Sequence, residues 1–212
     1  MSATLATHRT LYPLSPSVNT TRAILRATMS SAPKPSTLYA KLRELALAHA
    51  QPDSVKQILA IRHPLAIHAW GHNYLVQHNP GLQDRMDNAA FAAHLASTGR
   101  YITYAPPGEK VHDVMVDEWK RVAVVRMSYF LKAKKAGGES EGESEVVEND
   151  LIWTLRFTQE TEQEISGIDG IRIIESVEYT DASASARLGT LVRVETGGEI
   201  GDDVRGGIVL KE

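Results

Sequence analysis

Val111-His-Asp-Val-Met-Val-Asp117-Glu118-Trp-Lys-Arg-Val-Ala-Val-Val-Arg-Met-Ser-Tyr-Phe-Leu131, with Val146–Gln159 and Ile171–Asp181 behind it, is the stretch that decides the fold. The first part reads as two strands folded back at Asp117-Glu118. Val146–Gln159 reads as a further strand carrying Asn149-Asp-Leu-Ile-Trp153, and Ile171–Asp181 as a last one ending Glu178-Tyr-Thr-Asp181. Everything strongly helical precedes this block. Helices first and a curved, mainly antiparallel sheet second predict an α+β layer with a cavity between the two.

Working outward, Leu38, Leu42, Leu45 and Ala46 recur every three to four residues over Ser36–Ala50, with Ser36 placed as the N-cap. Pro52-Asp53 breaks that helix, and Asp53 is expected to cap a second one through Ile61. Pro64 stops the second helix, and Leu65–Trp70 is expected as a short strand. Pro80-Gly81 marks a turn. Asn88 opens a helix with Phe91, His94 and Leu95 on one face. Pro106-Pro107-Gly108 is expected as a loop leading into the sheet. Lys134–Glu145, low in complexity and strongly charged, reads as a long hairpin loop. The domain organisation expected is a flexible extension over 1–35, a domain over 36–185 and a C-terminal tail over 186–212, its Gly/Asp-rich part from Gly197 frayed.

Composition narrows the function. At 212 residues and 42% apolar content the chain can build one substantial core, and three Trp with seven Tyr can line a pocket. A formal charge of −3, with no aromatic-interleaved basic stripe, argues against a nucleic-acid surface. No apolar run has the length of a membrane span, about 18 residues. Zero Cys excludes disulfides, thiol nucleophiles and thiolate metal sites. No Asp or Glu precedes Glu44, while Arg9, Arg22, Arg26, Lys34 and Lys41 are scattered through Ser/Thr-rich sequence. That pattern fits a mitochondrial import segment, or else an unstructured extension or a start at Met29. A cytoplasmic location is the default expectation.

Histidine is the most suggestive residue type. His63, His68, His72 and His78 fall within sixteen residues, and His68-Ala-Trp-Gly-His72 has a metal-binding spacing if helical. Gly71, Pro64, the missing Glu and the missing third ligand argue against a metal, and none is expected. An imidazole in an apolar pocket can instead move protons, given a partner carboxylate or Tyr. The competing reading makes His68 and His94 satisfied core histidines, and Asn88 and Asp181 caps. Period-two alternation places Leu151, Trp153, Leu155 and Phe157 on one face. Arg126, Arg156, Glu175 and Glu178 are candidates either for the cavity or for a solvent-face ladder of ion pairs.

Five motifs occur in a characteristic order: Arg62-x-Pro64 with His68; Asn88, Phe91 and His94; Asp113-Val-Met-Val-Asp117-Glu118; Asn149-x-x-x-Trp153; and Glu178-Tyr-Thr-Asp181. Together they resemble the fungal SnoaL-like proteins of the NTF2-like superfamily, over about residues 36–185. The resemblance implies an NTF2-like (SnoaL-like) cone, with N-terminal helices packed in the concave face of the sheet, and a homodimer through the sheet's outer face. It also implies cofactor-free, metal-free acid–base chemistry on a hydrophobic polyketide- or terpenoid-type molecule, as an isomerase, cyclase or dehydratase of secondary metabolism. On this reading His68, Glu178 and Asp181 carry the chemistry. Trp70, Tyr74, Trp153 and Tyr179 form an aromatic wall, and His72, His94 and His112 are secondary ligand contacts. The alternative is a non-catalytic module of the same fold that binds a small molecule or a protein. Departures from the pattern, Ala66 and Trp70-Gly-His-Asn-Tyr74, fall near the expected cavity mouth and bear on the substrate more than on the fold.

Overall fold

Alternation of buried and exposed side chains over Val147–Phe157 produces the central strand of the molecule, with every second residue from Val147 to Phe157 buried. The computed structural model describes residues 34–135, 144–159, 167–198 and 200–212. Most of the expected N-terminal extension and residues 136–143 of the expected charged loop lie outside the described residues. The element order is α1 (Thr37–Ala50), α2 (Val55–Ala60), β1 (Arg62–Trp70), α3 (Asn73–His78), α4 (Asn88–Thr98), β2 (Ile102–Asp117), β3 (Val122–Ala133), β4 (Val147–Phe157), β5 (Ile173–Thr180) and α5 (Ala182–Thr196). The strands form one sheet in the order β1-β5-β4-β3-β2, parallel only between β1 and β5.

Capping chemistry sets the helix starts. The Ser36 hydroxyl accepts the Tyr39 amide at 2.9 Å at the head of α1. At α2 the cap is Ser54, accepting from the Gln57 amide at 3.2 Å, one residue after the expected Asp53. Asp87 caps α4 through the Ala90 amide at 2.8 Å. The strand expected from Leu65 begins three residues earlier and contains Pro64, and β2 runs through Pro106-Pro107-Gly108, expected as a loop. Both strands are sheet edges, where a residue lacking an N–H costs no ladder bond. The pairing accommodates the β2 segment by a register jump between Tyr104 and Glu109.

The main core forms where α1 lays Leu42, Leu45 and Ala46 on the inner sheet face, against Val125, Met127, Leu151, Trp153 and Leu155. On the outer face Arg126 pairs with Asp150 at 2.6 Å, and Glu175 bridges Arg156 at 3.0 Å and Arg85 at 2.9 Å. Three of the four charged residues expected on either face therefore belong to the outer ladder. Glu178 does not.

The segment expected as a tail is folded, and Ser36–Glu212 is one compact unit. Leu188 and Val192 of α5 are buried, as are Val204, Ile208 and Leu210 beyond it. Few apolar residues among glycines and acids hid this in the sequence, but each of those few finds a place in the core. The Arg193 guanidinium fixes the return of the chain by donating to the carbonyls of Val209 and Leu210 at 3.1 and 3.2 Å. Gly206 makes the turn at φ 95° and ψ −170°, a conformation only glycine adopts readily. A Cβ there would sit 2.8 Å from the His94 ring and 2.9 Å from the Trp70 ring. Gly206→Ala is expected to lower stability by roughly 1–3 kcal/mol from backbone strain, with the ring clashes adding to it. A melting temperature equal to wild type would show that this turn is not held as described.

Candidate active site

Cross-strand register sets the centre of the site. Trp70 on β1 and Trp153 on β4 both pair with Glu178 on β5, so the three side chains stand in one row on the inner face. They line a cavity of about 310 Å3, at the low end of the roughly 300–1,000 Å3 of small-ligand sites. Phe91 and His94 of α4, Tyr129 of β3 and Tyr104 of β2 complete its aromatic wall. The chain after α5 closes it with Arg205, Gly207 and Ile208, so residues expected to fray are part of the site.

Glu178 is the unusual group here. Among the described residues no hydrogen bond or ion pair reaches its carboxyl group, which lines the aromatic cavity. Burial pushes its pKa up from 4.5 to about 8, so at neutral pH it is mostly a carboxylic acid. Several other polar groups around it are matched to one another. Asn149 donates to the Thr180 and Ser185 hydroxyls at 3.3 Å, those two hydroxyls bond at 2.8 Å, and Tyr129 donates to the Ala50 carbonyl at 2.9 Å.

Of the three residues expected at the chemistry, the structure brings only Glu178 to the cavity. His68 is fully buried behind the wall, its Nδ1 3.2 Å from the Ser176 hydroxyl, and its ring packs against Phe91 at 4.7 Å and Trp70 at 5.1 Å. Burial, and then the neighbouring His94, His49 and Arg62, hold it neutral. Asp181 lies exposed and caps α5 through the Ser183 and Ala184 amides, because the turn into that helix needs an acceptor there. Of the expected ligand contacts, Trp70, His94 and Trp153 line the cavity. His72 and Tyr179 meet edge to face at 5.2 Å on the outer side, in an open groove they share with Arg126 and Asp150. Tyr74 is exposed on α3, and His112 lies on β2 with its Nε2 2.8 Å from the Ser128 hydroxyl. These placements follow from alternation: β5 turns Tyr179 outward when it turns Glu178 in.

The expected metal-spaced pair His68 and His72 is not helical. His68 is in β1, and His72 follows it with φ 61°. Among the described residues no group of three His, Asp or Glu is arranged to hold a metal ion. Sequence reasoning passed over His49, which lines the cavity from α1, and Arg205. His49 follows Leu42, Leu45 and Ala46 on the apolar face of α1, and that periodicity was a usable signal.

The geometry is that of an α+β layer with one unpaired carboxyl group, its pKa raised by burial, in an aromatic chamber. No protein-family model and no curated protein matches the sequence. Solved structures match it in fold. PrhC from Penicillium brasilianum is 15% identical, with 74% of this chain and 91% of that one covered and a TM-score of 0.51. The BvnE pinacolase from Penicillium brevicompactum is 15% identical over 79% of this chain and 99% of that one, TM-score 0.51. A putative isomerase from Bacillus subtilis is 12% identical over 78% and 100%, TM-score 0.53. In fold the chain is similar to these three, and it has the expected α+β architecture of helices packed on one mainly antiparallel sheet.

Opposed pH effects follow from the site. Glu178 holds its proton up to about 8 when folded but releases it near 4.5 when unfolded, so folding weakens as pH rises between those values. His49 and His94 act in the opposite sense. Burial lowers them to about 3 and about 4, and below 6.5 the unfolded chain takes up protons that the folded one refuses, so stability falls as pH drops. Maximum stability is expected near 6.5, where the histidine effect has ended and only the Glu178 effect remains. Glu178→Gln should remove the alkaline decline, gaining at most about 1.4 kcal/mol over wild type per pH unit. Parallel melting curves for the two proteins from pH 4 to 8 would refute the buried acid.

Proposed function

We propose that the protein is a cofactor-independent acid–base enzyme, an isomerase, cyclase or dehydratase, acting on a polyketide- or terpenoid-type small molecule. The observation that carries this reading is the Glu178 carboxyl, unpaired and desolvated between Trp70 and Trp153 in the aromatic cavity. A group ionising near neutrality can take a proton from one carbon and return it to another, which rearranges bonds without net redox change. Two of the matched folds, described as a pinacolase and a putative isomerase, support the reaction class by analogy. The motif resemblance supports the substrate class.

In this mechanism Glu178 is the proton carrier. As a carboxylate it removes a proton from a carbon next to a carbonyl, and as the resulting acid it reprotonates the delocalised anion at a second carbon. The indoles and Tyr129 exclude water and hold an apolar ring system against it. His68 supports the wall as a neutral spacer bonded to Ser176. The reading also includes a homodimer across the outer sheet face, where Ile152 is exposed.

The test is proton exchange into trans-1-decalone, a fused-ring ketone, followed by NMR in deuterated buffer. Wild type is expected to exchange the positions next to the carbonyl, with a rate that rises as Glu178 ionises and levels above about 8. Glu178→Gln should cost about 100- to 10,000-fold, the usual worth of one positioned proton-transfer group. Binding of the ketone without exchange in either protein would instead establish a ligand-binding module.

A further inference from the structure

His49 is a histidine whose ring nitrogens the fold leaves unused. It is 1% exposed, both its ring nitrogens lack a hydrogen-bond partner, and it lines the cavity beside Pro52 and Ile58. A buried imidazole with neither nitrogen satisfied costs stability that an apolar residue on α1 would not. Its ring meets the Trp153 indole edge to face at 4.7 Å, and Trp153 stands next to Glu178 across the β4–β5 ladder. His49 and Glu178 thus flank one tryptophan from two sides.

A second observation fixes the sign of charge the position favours. Arg62 is buried, and no carboxylate pairs with it among the described residues. Its contacts are Asn88 at 2.7 Å, Ser176 at 2.8 Å and the Phe91 face at 4.7 Å, and one of its terminal nitrogens has no partner. This uncompensated cation acts on His49. A neutral imidazole there presents an N–H donor in a field that favours negative charge on whatever accepts from it. The indole N–H groups of Trp70 and Trp153 also lack partners. His68 also has an unpartnered ring nitrogen in the field of Arg62, but it lies behind the wall, whereas His49 combines that field with a place in the cavity lining.

We infer that His49 anchors the ligand's oxygen and that the cavity is built for a ketone or enone, the carbonyl accepting from the His49 ring N–H and the carbon to be deprotonated facing Glu178. Negative charge that reaches the oxygen when Glu178 takes the proton is stabilised by that hydrogen bond and by Arg62, and it returns to carbon when Glu178 gives the proton back. This deepens the proposed function and rests on it.

The test compares trans-1-decalone with trans-decalin, the same rings without the oxygen, by quenching of tryptophan fluorescence. Wild type should bind the ketone at least about tenfold more tightly, the worth of one buried hydrogen bond. His49→Leu should erase that preference, leave decalin affinity within about twofold and melt no lower than wild type, since it removes an unsatisfied group. His49→Gln, which restores a donor, should recover part of the preference. Decalin bound as tightly as decalone by wild type, or an undiminished ketone preference in His49→Leu, would overturn the anchor while leaving the cavity reading intact. Failure of wild type to bind either compound would overturn both.

Discussion

Separation of the buried guanidinium of Arg62 from the buried carboxyl of Glu178 is the constraint on which the site depends. Both lie in the same layer under the helices, and an ion pair between them would be the ordinary way to compensate each. The sheet prevents it. Arg62 is tied at the start of β1 to Asn88 and to Ser176, while Glu178 stands one inner-face position beyond Ser176, level with Trp70. Between them lies the His68–Ser176 row, with a neutral imidazole in place of a charge. Had the two met, Glu178 would be permanently ionised; kept apart, it is governed by desolvation alone and titrates near neutrality.

Such a layer has a folding cost. An unpaired acid, an unpaired guanidinium and three neutral histidines are all groups that water solvates better than a protein interior does. What offsets them is the apolar slab formed by α1 with β3 and β4, which lies toward the other end of the same inner face. Packing and cavity are thus divided along the strands: Ala123, Val125, Leu155 and Phe157 hold the sheet to its helices, and the polar interruptions collect around Trp70, Glu178 and Asn149. Natural sequences depart from uniform patterning in this way at functional sites.

The fold was legible because it is written in periodicity. Leu42, Leu45 and Ala46 give α1 its face, and the alternation in β4 fixes which side of the sheet is buried, with Trp153 inward. The boundaries that slipped did so where one residue type has two meanings: Pro64 and Pro106 end strands in a sheet interior but are tolerated at its edges. The cavity lining was legible at Glu178, Trp70, His94 and Trp153, whereas His68, Asp181 and His72 lie outside it. A motif fixes spacing along the chain, whereas function depends on which side of the backbone a residue leaves. His68 does face inward, but α4 covers it with Phe91, a contact twenty-three residues away that no local pattern contains.

The C-terminal segment shows why composition misled most there. A glycine-rich, charged stretch has little to bury and usually frays. Here its charges act as fastenings rather than as solvated ends. Asp203 meets Arg100 at 2.7 Å at the end of α4, and Arg205 meets Asp84 at 3.1 Å on the loop before it. Those anchors let Gly206 turn tightly over the His94 and Trp70 rings and set Ile208 into the cavity. Without this segment Trp70 and His94 would face solvent on that side, and water would restore the usual acidity of Glu178. The closing strap and the raised carboxyl belong to one arrangement: the segment that these surface ion pairs fasten supplies Arg205, Gly207 and Ile208 to the lining around the unpaired acid.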